Sequence, residues 1–267
     1  MAESECMAGS RLKVEWANKH IAELELAIER FVEQEPYVLV SDDDAATGDK
    51  VLRVRVRSVP PATMGLMIGD VIHNLRSALD LLFWQLVDSQ SMAPNSGDQF
   101  PVFKSKSIYD SPSGQGKVRR SGRQALTIFD AIKPYREGNE PLWQLHGLSL
   151  VDKHHVLIPV AMTYQSMVID LALGPIFGAE AEGTLRIPIS FPKPICPLED
   201  NIEIARFAGL GRDAQPAPEM LVQVAFGRIG VAECEPVLST LHRLSDAVDG
   251  ILDDGRDALG VAESLIE

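Results

Sequence analysis

A helical run that opens at Pro60-Pro61 and continues to about Val87 constrains this chain more than any other feature. Proline suits a first helical position, where its missing N–H leaves no bond unmade. In its second half the run is apolar on all sides, through Leu79, Leu81, Leu82, Phe83, Trp84 and Leu86. Such a helix has to be covered by other elements. Its centre nevertheless reads Gly69-Asp70-Val71-Ile72-His73-Asn74-Leu75-Arg76-Ser77-Ala78-Leu79-Asp80, a polar cluster set into a core helix.

An α-helix turns about 100° per residue. Asp70, His73, Ser77, Asp80 and Trp84 then share one strip, with Arg76 beside it and Leu75, Leu79, Leu82 and Leu86 opposite. Asp70–His73 and Arg76–Asp80 fall at pairing separation. Gly65 and Gly69 share a side on which another backbone can come close. Trp84 prolongs the strip, so the expectation is that something covers it. A covered polar strip must be hydrogen-bonded. A solvated face, a structural network, a catalytic site and a ligand site are the competing readings.

A second segment, Leu148-Ser149-Leu150-Val151-Asp152-Lys153-His154-His155, falls where a helix opened by Pro141 gives way to β-type sequence. Cations at a helix C-terminus also suit the dipole and the free carbonyls, so capping is the plain alternative to chemistry. Four of the six histidines (His73, His146, His154 and His155) lie in these two blocks. The site expectation is that His73 and His154 face each other across one enclosed cavity. Asp70, His73, Asp80, Asp152 and His154 are also metal-type donors, but no His-x3-His or Glu-x-x-His spacing accompanies them, and no metal or other cofactor is expected.

The remaining chain reads as α+β. Ser10 to about Gln34 carries one apolar stripe through Val14, Ala17, Ile21, Leu24, Ile28 and Phe31. Tyr37–Val40 and Val51–Val56 read as a hairpin with a long loop. Lys104–Arg123, rich in Ser, Gly and basic residues, reads as a mobile loop or lid. A helix follows near Gln124–Ile132. Val156–Asp170, Thr184–Phe191, Ile202–Phe207 and Leu221–Phe226 read as strands of an antiparallel sheet, and Pro236 opens a closing helix. One domain is expected: a helical part over about 10–155, a β-rich part over 156–230 and a helix over 236–265.

Net charge is −13, which opposes non-specific binding to nucleic acid. Arg53, Arg55 and Arg57 alternate with apolar residues, so all three share one strand face. They form either an anion rail or a row paired with acids such as Asp42–Asp44, and the pairing is favoured. Lys117-Val118-Arg119-Arg120 with Arg123 forms a second basic cluster. Cys6, Cys196 and Cys234 are odd in number and widely spaced, so neither a disulfide framework nor a cysteine-rich zinc site is expected. The acidic start lacks an apolar leader and no run is long enough to span a membrane, so the cytoplasm is the expected location.

Several blocks together resemble a widespread family of uncharacterised bacterial proteins. They are Trp16-Ala17-Asn18-Lys19-His20-Ile21-x-Glu23-Leu24, Glu35-Pro36-Tyr37, Gly69-Asp70-x-x-His73-Asn74-Leu75-Arg76-Ser77-Ala78-Leu79-Asp80, Phe100-Pro101-Val102-Phe103, Lys133-Pro134-Tyr135 and Asp152-Lys153-His154. The resemblance implies a common fold and a shared polar cluster, and no activity. The family usually has arginine after the Asp-Lys-His triplet, where this chain has His155. The helix texture is also similar to HEPN-type helical proteins, many of them metal-independent ribonucleases. In those an arginine precedes a histidine on one helix, whereas here His73 precedes Arg76.

Three functional readings follow. In the first, His73, oriented by Asp70 or Asp80, and His154 exchange protons while Arg76 and Lys153 stabilise developing negative charge on a phosphate-containing substrate such as RNA. In the second, the same residues with Asn74 and Asp152 hold a small anionic ligand, with Arg53, Arg55 and Arg57 as further anion contacts. In the third, the cluster only locks helix packing in an interaction protein. Self-association is compatible with each.

Overall fold

The computed structural model describes residues 7–163, 166–172, 182–190, 194–208 and 217–259, with isolated residues 174, 178 and 180. Its first helix, α1 (Ala8–Val32), buries Val14, Ala17, Ile21, Leu24, Ile28 and Phe31, the stripe read from the sequence. Helix α2 (Ala62–Asp88) follows directly on Pro61 and buries residues around most of its circumference, from Met64 to Val87. These two helices pack together along their length, and α6 (Glu140–Asp152) and the closing helix α7 (Val237–Ala258) pack against α2 as well. One continuous apolar cluster runs from Met7 through α2 to Leu252. The fold is α+β, with helices dominating the N-terminal half and antiparallel strands the C-terminal half.

The hairpin β1 (Tyr37–Asp43) and β2 (Lys50–Val56) is antiparallel, with Tyr37 opposite Val56 and Asp43 opposite Lys50. Its third strand comes from far along the chain: β6 (Glu203–Phe207) pairs with the free side of β2. The rest of the β-rich part divides into two small sheets. β3 (Pro159–Thr163) pairs with β8 (Val222–Phe226), and β4 (Ser166–Ala172) lies between β5 (Thr184–Ser190) and β7 (Ala217–Glu219). The expected strand over Val156–Asp170 is therefore two strands in different sheets, and Val156 and Ile158 before it are exposed. Among the described residues, no helix is long and apolar enough to cross a membrane.

Two expectations are corrected. Lys104–Arg123 is not a loose loop. It forms α3 (Lys106–Tyr109) and α4 (Pro112–Arg119), and Tyr109 and Val118 are in the core. Tyr109 packs edge-on against Phe103 and at a tilt against Tyr135, and its hydroxyl donates to Asp130. Ser111 caps α4 by accepting from the Gly114 N–H. With so few apolar residues the segment shows no periodicity; its anchors are single side chains. Helix α5 (Arg123–Ile132) follows it. The second correction concerns sulfur: Cys196 and Cys234 are joined by a disulfide, with Cα atoms 5.9 Å apart. Linear spacing could not announce a bond that depends on the 194–198 segment lying beside β3 while 234–235 pairs with Phe226 at the end of β8.

The glycines of α2 set how closely its neighbours approach. A methyl group on Gly65 would stand 2.0 Å from the Leu157 carbonyl oxygen, and one on Gly69 would stand 2.4 Å from Asp152 Oδ1. The end of α6 and the chain entering β3 therefore sit directly on α2, as the shared side of the two glycines predicts. Because Leu157 presents backbone, Gly65→Ala has no flexible atom to displace. It should lower the unfolding free energy by about 1–3 kcal/mol, read as an earlier urea midpoint at unchanged slope.

Candidate functional site

Arg76 is the buried charged member of the polar cluster, with 7% of its surface exposed. One helical turn on, Asp80 Oδ1 accepts from Arg76 Nη2 at 2.8 Å. The same Nη2 donates to the Phe100 carbonyl at 2.6 Å, and Asp80 Oδ1 also accepts from the Phe100 N–H at 2.9 Å. An ion pair on α2 thus grips both backbone groups of Phe100. The Phe100 ring packs on Phe83 and Phe129 and completes the anchor. Burial pulls the guanidinium below its usual range, and the Asp80 charge opposes that pull. Arg76 Nη1 is buried and has no acceptor.

This anchor forms one wall of a cavity of about 240 Å³. The 97–103 segment curls over it, Lys117 and Arg120 come from α4 and its C-terminus, and His146 comes from α6. Asp98 shapes the segment by accepting from the Asn95 N–H and, bidentately, from Arg120 Nε and Nη2. The Arg120 hydrogen bonds hold its carboxyl below the ordinary range. His146 Nδ1 is buried without a partner. Burial, then the positive charges of Arg76 and Lys153, push its pKa down to about 4. His146 is therefore neutral at pH 7. Arg76–Asp80 and Arg120–Asp98 cancel in pairs, and Lys117 forms no ion pair among the described residues. The cavity lining is net positive, and the guanidinium of Arg76 that belongs to it keeps a buried nitrogen with no acceptor among the described residues.

The other predicted site residues lie elsewhere. Asp70 and His73 are exposed on α2, and Lys153, His154 and His155 are exposed beyond α6. None of these five lines a described cavity. The enclosed pocket between His73 and His154 is thus corrected: this face of α2 stays open to water, and Trp84, expected to mark its cover, is 44% exposed. Asp152 is half-buried against Gly69, and burial raises its pKa, with Asp70 adding to the rise and His73 opposing it. Asp70, His73 and Asp152 do come together electrostatically, although no hydrogen bond joins the ring to either carboxylate. Asn74 bridges two helices instead of facing a ligand, donating to the Asp70 carbonyl and accepting from Lys13 Nζ. The arginine row is paired: Arg53 with Glu203, Arg55 with Asp42 and Arg57 with Glu35.

No family model, curated protein or solved structure matches this chain. The cavity therefore has to be read from its own chemistry. Of the site residues expected from the sequence, Arg76 lines it, and Asp80 stands directly behind. His146, Asp98, Lys117 and Arg120 complete it. His146 carried a sequence signal as one of the four clustered histidines. Lys117 and Arg120 belonged to the second basic cluster. Asp98 had none.

Two outcomes follow. Asp80→Ala leaves a buried guanidinium with one carbonyl for company and should cost about 2–4 kcal/mol in a urea melt. For His146, the unfolded imidazole binds its proton near the ordinary value and the folded one only near pH 4. Between those values the unfolded state holds more protons, so stability is full above about pH 6.5 and falls as pH drops toward 4. His146→Asn should flatten that part of the stability profile, measured by urea midpoints from pH 7.5 to 4.5.

Proposed function

We propose that this chain binds a small anion in the cavity between α2, the 97–103 segment, α4 and α6. The observation that carries the reading is the guanidinium of Arg76, which lines a cavity together with Lys117 and a neutral His146 and keeps one buried nitrogen, Nη1, without an acceptor among the described residues. Leaving such a donor unpaired costs about 1–3 kcal/mol or more when the group is charged, and an oxyanion would supply the missing oxygen. A planar guanidinium beside a lysine suits a phosphate or carboxylate. At about 240 Å³ the space is below the ~300–1,000 Å³ of drug-sized sites. The fitting ligand is a phosphate monoester or small carboxylate, not a polynucleotide.

The acid–base reading needs two histidines across one cavity, and the geometry offers one neutral imidazole there. Binding is the better-supported class. A reducing cytoplasm would keep Cys196 and Cys234 as thiols; the proposal holds in either compartment, because neither sulfur lines the cavity.

Bound anion would favour protonated His146, so binding should take up a proton and strengthen as pH falls. Sulfate keeps its charge across this range and is the suitable probe. Sulfate at millimolar concentration should raise the melting temperature more at pH 5.5 than at pH 7.5. Lys117 is exposed and forms no ion pair among the described residues, so Lys117→Ala should fold normally and lose most of that rise. An equal response in both proteins, or none in either, would refute the reading.

A further inference from the structure

A second hollow adjoins the anion cavity. It measures about 310 Å³ and lies on the face of α2 where Ser77, Asp80, Leu81 and Trp84 follow one another at successive turns, with Ser96 and Gln99 beside them. Asp98 and Gln99 line both spaces. The backbone of 97–99 is therefore the ridge between them, and at Gly97 that ridge carries no side chain.

The hollow keeps apolar surface in water on a helix otherwise given to the core. Leu81 is 37% exposed and Trp84 44%. An indole left half in water can receive a planar ring without repacking what lies beneath it. Stacking on aromatic side chains is how proteins hold nucleobases whatever their sequence.

The polar groups of the hollow are selective. Asp80 gives only Oδ1 to the anchor with Arg76 and Phe100, and no described residue donates to its Oδ2. A carboxylate oxygen accepts from an exocyclic amino group and repels a carbonyl. Ser77, Ser96 and Gln99 add groups that donate or accept. Across the ridge, Arg76, Lys117 and Arg120 supply the cations. Arg76 and Trp84 are eight residues apart, about 12 Å along α2, which matches an extended mononucleotide from phosphate to base. Each space alone is at or below the lower end of the ~300–1,000 Å³ of small-molecule sites, and together they fall inside it.

Resting on the anion reading above, we infer that the anion of the cavity is the phosphate of a nucleoside monophosphate. Its ribose crosses the ridge at Gly97, its base stacks on Trp84, and an amino group on the base donates to Asp80 Oδ2. A sugar phosphate would fill the cavity and leave the indole in water. Uracil would turn a carbonyl toward Asp80. A partner protein's apolar patch would cover Leu81 and Trp84 without needing the cations beyond the ridge.

Isothermal titration calorimetry on the full chain at pH 5.5, with cytidine monophosphate, uridine monophosphate and ribose 5-phosphate as ligands, tests this. The cytidine ester should bind about tenfold tighter than ribose 5-phosphate and about fivefold tighter than the uridine ester. Trp84→Ala should bring the cytidine ester to the affinity of ribose 5-phosphate, and Trp84→Phe should keep most of the difference. The ligand series runs on the unaltered protein, so it decides even where Trp84→Ala folds poorly. Nucleotides no tighter than ribose 5-phosphate, with the sulfate response intact, overturn the base site and leave the anion reading standing. No sulfate response and no binding of any ester overturn both. Cytidine binding as tightly as its monophosphate would detach the hollow from the cavity and overturn the inference, as would equal affinity for the cytidine and uridine esters.

Discussion

A guanidinium taken out of water must be met by oxygen, and in this fold the oxygens come from one helix and one turn of chain. Arg76 and Asp80 form a pair on α2, and Phe100 closes it by supplying a carbonyl and an N–H to the two partners. That closure decides where the 97–103 segment runs. The segment in turn carries Asp98, which fixes Arg120 and so the end of α4. The cavity exists because these contacts are made in sequence, each one positioning the next. Its remaining unmet donor, Nη1, is the residue of an arrangement that satisfies Arg76 on one side only.

What the sequence made legible was periodic. The stripe on α1, the start of α2 at Pro61, the hairpin and the start of the closing helix all rest on repeated apolar spacing or on proline, and each appears near its expected place; the expected end of the closing helix, 260–265, lies outside the described residues. The close approach at Gly65 and Gly69 was legible for a different reason: two missing side chains on one face leave room that a packed interior does not waste. The Arg76–Asp80 pair followed from helical spacing alone.

What stayed hidden was long-range. Helical angles placed Asp70, His73 and Asp80 on a strip, but they could not say which neighbour would cover it, and the neighbours cover Arg76 and Asn74 instead. Trp84 misled because a large aromatic ring on a helix is tolerated half in water. The arginine row behaved as an acidic chain dictates, each guanidinium finding a carboxylate from β1, β6 or the turn before β1. Nothing in its local sequence marks Asp98 as a site residue; its place at the cavity comes from Arg120, which is 22 residues away in the chain.

The hairpin sheet has a consequence for how the chain is made. Its third strand, β6, joins β2 only after about 150 intervening residues have been synthesised, since Arg53 lies opposite Glu203. At roughly 5–20 residues per second on the ribosome, that is a delay of about 8–30 seconds. During it the outer side of β2 has no partner from its own chain. The N-terminal helices emerge early and can collapse on local contacts, while completion of this sheet waits for the C-terminal third. Truncation before residue 203 would therefore leave a strand edge exposed to other nascent chains, and aggregation would be the natural fate of such fragments.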